Sequence, residues 1–166
     1  MQITFTKGRS EDWIVAIRAD GTRAETRFPH KGPVPHDAVH LFVERGLALE
    51  QGFWGLVAAG HRPEELGELA KAAGHASASR AHVPDASIVQ LLQAERLVEC
   101  FEADLWSSGG DEATLLQIAR TACSYSHVPM PELAEGALAQ VRAELAAFAR
   151  DWMAAPIGHK AALSWP

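Results

Sequence analysis

The chain has 166 residues, 48% of them hydrophobic and 22% charged, with a formal net charge of −6. That composition can bury one sizeable core and is unlike that of a disordered chain. An acidic balance with no Lys/Arg stripe opposes a phosphate backbone, so no nucleic-acid partner is expected.

Cys100 and Cys123 are the only cysteines. They make neither a disulfide framework nor a zinc set, and their apolar neighbours mark them as small buried hydrophobes. The opening stretch MQITFTKGRSEDW lacks the apolar core of a signal peptide, and no apolar run approaches membrane-spanning length. A single-domain cytoplasmic protein with no membrane partner is the expectation. Arginine outnumbers lysine and alanine is abundant, as in proteins from GC-rich bacterial genomes.

Residues 1–28 read as β-structure. Ile3 and Phe5 alternate with Thr4 and Thr6. Trp13, Val15 and Ile17 alternate with Ile14, Ala16 and Arg18, and Arg23, Glu25 and Arg27 interleave with Ala24, Thr26 and Phe28. This period of two predicts an antiparallel three-stranded meander, turning at Lys7–Ser10 and at a two-residue Asp20-Gly21 hairpin. Three prolines and a glycine between Phe28 and Pro35 then force an extended connector.

From Pro35 to about Leu49 the pattern is helical, with Val39, Phe42, Val43, Gly46 and Leu47 on one side and Gly46 mid-helix, where another element can approach closely. Gly52 to Ala59 reads as a short helix or buried turn, and Pro63 to Ala73 as another helix. The polar stretch 74–84 is the expected loop. Asp85 caps a long, central helix running to Trp106, Asp111 caps one reaching Ser124, and Pro131 opens the last. In that last helix Leu138, Val141, Leu145, Phe148 and Trp152 recur at three-four spacing. Ala161, Leu163 and Trp165 alternate with Ala162 and Ser164, a short strand over 160–165 able to return to the N-terminal sheet. The fold class is α+β, a small antiparallel sheet packed against about five helices spanning 35–155.

His36, His40 and Glu44 lie in one column at the border of the first helix's apolar face, and Asp37 stands three residues before His40. Histidines at i and i+4 can reach one metal ion from a single helix. The candidate ligands are His36, His40 and Glu44, with Glu95 or Glu99 of the long helix as alternatives to Glu44, and zinc as the representative ion. Trp54, in Gly52-Phe53-Trp54-Gly55, is a candidate wall for a small-molecule ligand. The plainer readings are that Asp37 complements the helix dipole, that the imidazoles bond backbone carbonyls or water, and that the aromatics are close packing beneath a turn. Glu95, Glu99 and Glu102 read foremost as a solvated stripe or a subunit contact. Ser124-Tyr125-Ser126-His127 is a weak nucleophile candidate without a partner carboxylate. No Gly-rich phosphate loop, GxSxG, HExxH or CxxC is present.

The meander, PHDAVHLFVE, GFWGLVAAG and the closing AALSWP together resemble a family of small bacterial proteins of uncharacterised function, with an HDxxH-x-x-VE core followed by a GF(F/W)GL segment. The matching positions are His36, Asp37, His40, Val43 and Glu44, then Gly52, Phe53, Trp54, Gly55 and Leu56. The resemblance implies no activity.

Two functions are therefore expected to compete. One is a cytoplasmic small-ligand or metal-binding protein with its site on the HDxxH helix. If an enzyme, it would use a metal-bound water, or His40 oriented by Asp37 as general base. The other is a non-catalytic module assembling as a homodimer through the Leu138–Trp152 stripe or the Leu163/Trp165 strand.

Overall fold

A computed structural model describes residues 1–30, 32–74, 82–107 and 110–166; most of the expected loop 74–84 lies outside them. Four strands form one antiparallel sheet: β1 (Gln2–Thr6), β2 (Glu11–Ile17), β3 (Arg23–Pro29) and β4 (Lys160–Ser164), in the order β3-β2-β1-β4. The C-terminal strand does return to the meander, pairing with β1 so that Ile3 faces Leu163 and Phe5 faces Ala161. Ile3, Phe5, Ile14 and Ala16 point inward and are buried, while Trp13 and Ile17 face out. The alternation read from the sequence is thus a single-faced sheet covered on one side by helices.

The β2–β3 turn differs from the two-residue hairpin expected at Asp20-Gly21. Arg18 N–H donates to the Thr22 carbonyl at 2.9 Å, which leaves a three-residue loop with Gly21 at φ +83°. Asp20 accepts from both the backbone N–H and the hydroxyl of Thr22, which favours this longer turn.

Among the described residues six α-helices lie between β3 and β4: α1 (His36–Gly46), α2 (Phe53–Ala58), α3 (Pro63–Ala72), α4 (Val89–Trp106), α5 (Glu112–Tyr125) and α6 (Ala137–Ala154). Helix α1 stops at Gly46, short of the expected Leu49. Ala48 adopts φ +54° and Leu49 N–H reaches back to the Glu44 carbonyl at 2.9 Å, a Schellman-type end with buried Leu49 as its apolar partner. Gly46 is therefore the helix's last residue rather than an interior one. Helix α6 begins at Ala137, not near Pro131, because Gly136 sits at φ +75° and a left-handed residue cannot lie inside a right-handed helix. Asp111 caps α5 through Thr114 N–H, and Asp85 caps a short 3-10 turn, Ala86–Ile88, that leads into α4.

Helix α4 is central, burying Leu91, Leu92, Leu97, Val98 and Phe101 among α1, α5 and α6. The α6 stripe is packed inside the chain: Leu138, Val141, Leu145 and Trp152 are buried, and Phe148 meets Phe42 at 5.2 Å. Lys7 closes the C-terminal end of α6, donating to the carbonyls of Trp152 at 2.7 Å and Ala155 at 2.8 Å, where the helix dipole is negative. No helix among the described residues is long and apolar enough to cross a membrane.

Two measurements test this packing. A methyl at Gly46 would collide with the Val141 side chain, which is stiff within its helix. Gly46→Ala should cost about 1–3 kcal/mol in urea denaturation. Adding Val141→Ala should recover part of that loss, and a double mutant no better than the sum of the singles would refute the contact. Separately, burial pushes the thiols of Cys100 and Cys123 up to about 11, Cys123 and Glu99 adding to the effect at Cys100. At pH 8 the native protein should resist iodoacetamide, and unfolding in denaturant should release both thiols to it, as intact mass would show.

Candidate functional site

The site starts where the connector ends. Pro35, at φ −60° and ψ 125°, stands just before α1 as its N-cap, so His36 opens the helix and His40 follows one turn later. Their rings meet edge to face at 4.8 Å. His36 is half-buried, whereas His40 is only 1% exposed because the apolar face of α1 carries it into the interior.

Glu44, one turn further, is fully buried. One carboxylate oxygen accepts from His40 Nδ1 at 2.8 Å and from Phe53 N–H at 2.9 Å, and the other accepts from Trp54 N–H at 2.9 Å. The carboxylate thereby caps α2 from a different helix, satisfying N–H groups that Gly52 has no side chain to reach. A Cβ at Gly52 would lie 2.6 Å from the Glu44 carboxyl carbon, so only glycine leaves room. Glu44, expected as a metal ligand, is thus spent on the backbone and on orienting His40.

Asp37 is buried, and its carbonyl accepts the Trp54 indole N–H at 2.7 Å. The carboxylate bonded to His40 Nδ1 belongs to Glu44, not to Asp37 as expected for a general base. Trp54 does not form the ligand wall assigned to it: it is 1% exposed and packs edge-on against Phe5 of the sheet at 6.1 Å. Its neighbour Phe53 lines the cavity instead, 5.4 Å from His40. Two residues adjacent in a helix point about 100° apart, which sends one into the core and the other to the wall.

Helix α4 supplies the opposing side. Glu95 lies 3.7 Å from His40 Nε2, and Glu102 accepts from His36 Nδ1 at 2.9 Å. Glu99 pairs with Arg96 at 2.7 Å. All three glutamates, expected as a solvated stripe or subunit contact, line one cavity of about 680 Å³ together with His36, Asp37 and His40. Its other wall comes from β3 (Phe28), the connector (Val34) and α3 (Ala70, Lys71). By contrast, Ser126 of the Ser124–His127 segment accepts from Arg96 Nε at 2.6 Å, a packing role away from the cavity.

Among the described residues, His36, His40 and Glu95 form a potential metal-ligating trio, with donor atoms all within 4.8 Å of one another. Ligand atoms around one tetrahedral ion stand roughly 3.4 Å apart. The trio would have to draw closer around such an ion. Both imidazoles present Nδ1 to a carboxylate, Glu44 for His40 and Glu102 for His36. An ionised carboxylate only accepts, so in each ring Nδ1 carries a hydrogen, and Nε2 is the nitrogen that a second proton or a cation would take.

The electrostatics agree. Burial is the largest single influence on His40 and pulls its pKa down, but Glu95 beside Nε2 and the hydrogen bond to Glu44 outweigh it and carry it well above the usual histidine range. Burial also raises Glu44, against the hydrogen bonds from His40 and the two backbone N–H groups. The surroundings of Nε2 thus favour positive charge, which a proton or a metal ion can supply.

The division of labour between Glu44 and His36 is measurable. Glu44→Ala leaves two backbone N–H groups and an imidazole N–H buried without acceptors, and should cost about 3–5 kcal/mol. His36→Ala, at a half-exposed position, should cost under about 1 kcal/mol. Equal losses in urea denaturation would contradict the assigned roles.

Comparison of this chain with protein-family models, with curated proteins and with solved structures found no match.

Proposed function

We propose that this is a metal-binding protein in which His36, His40 and Glu95 hold one divalent ion at the wall of a small-molecule cavity. The observation that carries the reading is the pair of Nδ1–carboxylate bonds, which direct both Nε2 atoms away from their supporting carboxylates. Two imidazoles and a carboxylate suit zinc or another first-row divalent ion. Three protein ligands also leave a coordination position, and beside an open cavity that position suits water or a ligand rather than a closed structural site. As an enzyme the protein would use the ion to activate water or polarise a bound oxygen.

Elemental analysis tests this directly. Protein purified without a metal-binding tag, or supplied with zinc and dialysed, should retain about one equivalent. His36→Ala/His40→Ala and Glu95→Ala should lose it while remaining folded by circular dichroism. Glu102→Gln should weaken zinc binding by about 10–100-fold without abolishing it. Wild-type protein that stays metal-free after zinc, iron and manganese have each been offered would end the proposal.

A further inference from the structure

Among the described residues, β3 ends the sheet on one side, with β2 as its paired neighbour. At the two ends of that ladder His30 N–H donates to the Ser10 carbonyl at 3.1 Å and Arg18 N–H to the Thr22 carbonyl at 2.9 Å. Strand residues turn their backbone groups alternately to one side and the other, so the even-numbered residues of β3 bond β2. Arg23, Glu25 and Arg27 therefore point N–H and C=O away from β2, a row that can template another strand. Their side chains are exposed on the outer face of the sheet, beside Ile17, Val15 and Trp13 of β2. Glu25, Thr26 and Arg27 also border an open depression of about 440 Å³, with Trp13 and Glu64, so the middle of the strand is open to solvent.

We infer that a second copy of this chain pairs with this edge, β3 against β3, antiparallel about a two-fold axis at Thr26, joining two sheets into one. Charge selects the register. With Thr26 opposite Thr26 of the partner subunit, Glu25 stands opposite the partner's Arg27, and Arg27 opposite the partner's Glu25. Centring the pair on Glu25 or on Arg27 instead sets like charges face to face. Centring it on Ala24 opposes unlike charges but overlaps only residues 23–25 before the turn intervenes. In the Thr26 register Glu25 and the partner's Arg27 exchange both backbone bonds, and Arg23 N–H meets the carbonyl of the partner's Pro29, which has no N–H to return. Arg23 already pairs with Glu25 at 3.0 Å and Arg27 with Glu11 at 3.2 Å, both in solvent. Such exposed pairs contribute little, so the backbone bonds supply the affinity and the charges reject the wrong alignments. The opposite margin of the sheet, β4, is a poorer edge: it is shorter, and its Ser164 carbonyl faces Arg45 Nη1 at 3.4 Å.

Sedimentation velocity of the full chain over a concentration series, with chelator present so that no metal bridges two molecules, should show a dimer. Glu25→Arg and Arg27→Glu each place like charges opposite one another at two equivalent positions, and each should weaken the dimer at least about tenfold. Glu25→Arg/Arg27→Glu restores unlike pairs and should recover most of that loss, with circular dichroism confirming that every variant is folded. Thr26→Cys gives an independent reading that needs no charge change. At the two-fold axis the Cα atoms of a non-hydrogen-bonded pair stand about 4.5 Å apart, within disulfide reach. Copper phenanthroline should therefore crosslink Thr26→Cys into a covalent dimer, while Ala24→Cys, about 13 Å from its own copy in this register, should stay uncrosslinked. A wild type that stays monomeric up to about 100 μM would overturn the inference. So would a dimer indifferent to both charge reversals, as one through β4 would be, or crosslinking at Ala24→Cys in place of Thr26→Cys.

Discussion

A carboxylate taken wholly out of water survives in a protein only when its lone pairs are met by donors, and the burial of Glu44 imposes that condition on everything around it. The donors come from two places: the imidazole one turn back on α1, and the first N–H groups of α2. Meeting them ties α2 to α1, and it requires glycine at position 52, just before α2. The Trp54 indole bonded to the Asp37 carbonyl is a second tie across the same joint. Together these bonds place Trp54 under the sheet against Phe5 and Phe53 at the cavity. They also hold the His40 ring in one orientation.

The same helix thus serves core and site. Ala38, Val39, Leu41, Phe42 and Val43 bury α1 against α4 and α6, and that packing carries His40 to a depth a solvated helix would not give it. Helix α4 lies alongside, burying residues along its length, while Glu95, Glu99 and Glu102 line the cavity beside His36 and His40. A histidine at that depth, flanked by Glu44 and Glu95, has little freedom to move. The hydrogen bonds that hold the fold together here also orient the residues of the candidate site.

Much of the architecture is legible in local chemistry. Alternation of β-branched and aromatic residues marks the strands, prolines mark the connector, and Asp85 and Asp111 mark helix starts, because each acts through its own few neighbours. Helix ends were less legible. Ala48 and Gly136 adopt left-handed backbone, and neither residue type announces whether the chain will use that option. The Asp20-Gly21 turn gained a residue because Asp20 could bond Thr22, a choice between two turns of similar local merit.

What the sequence by itself determined is the HDxxH pair: i and i+4 on a helix must share a face, so His36 and His40 were bound to be neighbours wherever the helix packed. It also determined a glutamate column on α4, for the same geometric reason. Only the tertiary structure decided which carboxylate serves which imidazole, because Glu102 lies sixty-six residues from His36 and meets it only where α4 packs beside α1. It likewise turned Glu44 from a presumptive ligand into a cap for α2, and exchanged Trp54 for Phe53 at the cavity wall. Those outcomes depend on how one helix is rotated against another, and rotation is set by the summed packing of the whole core rather than by any local run of residues.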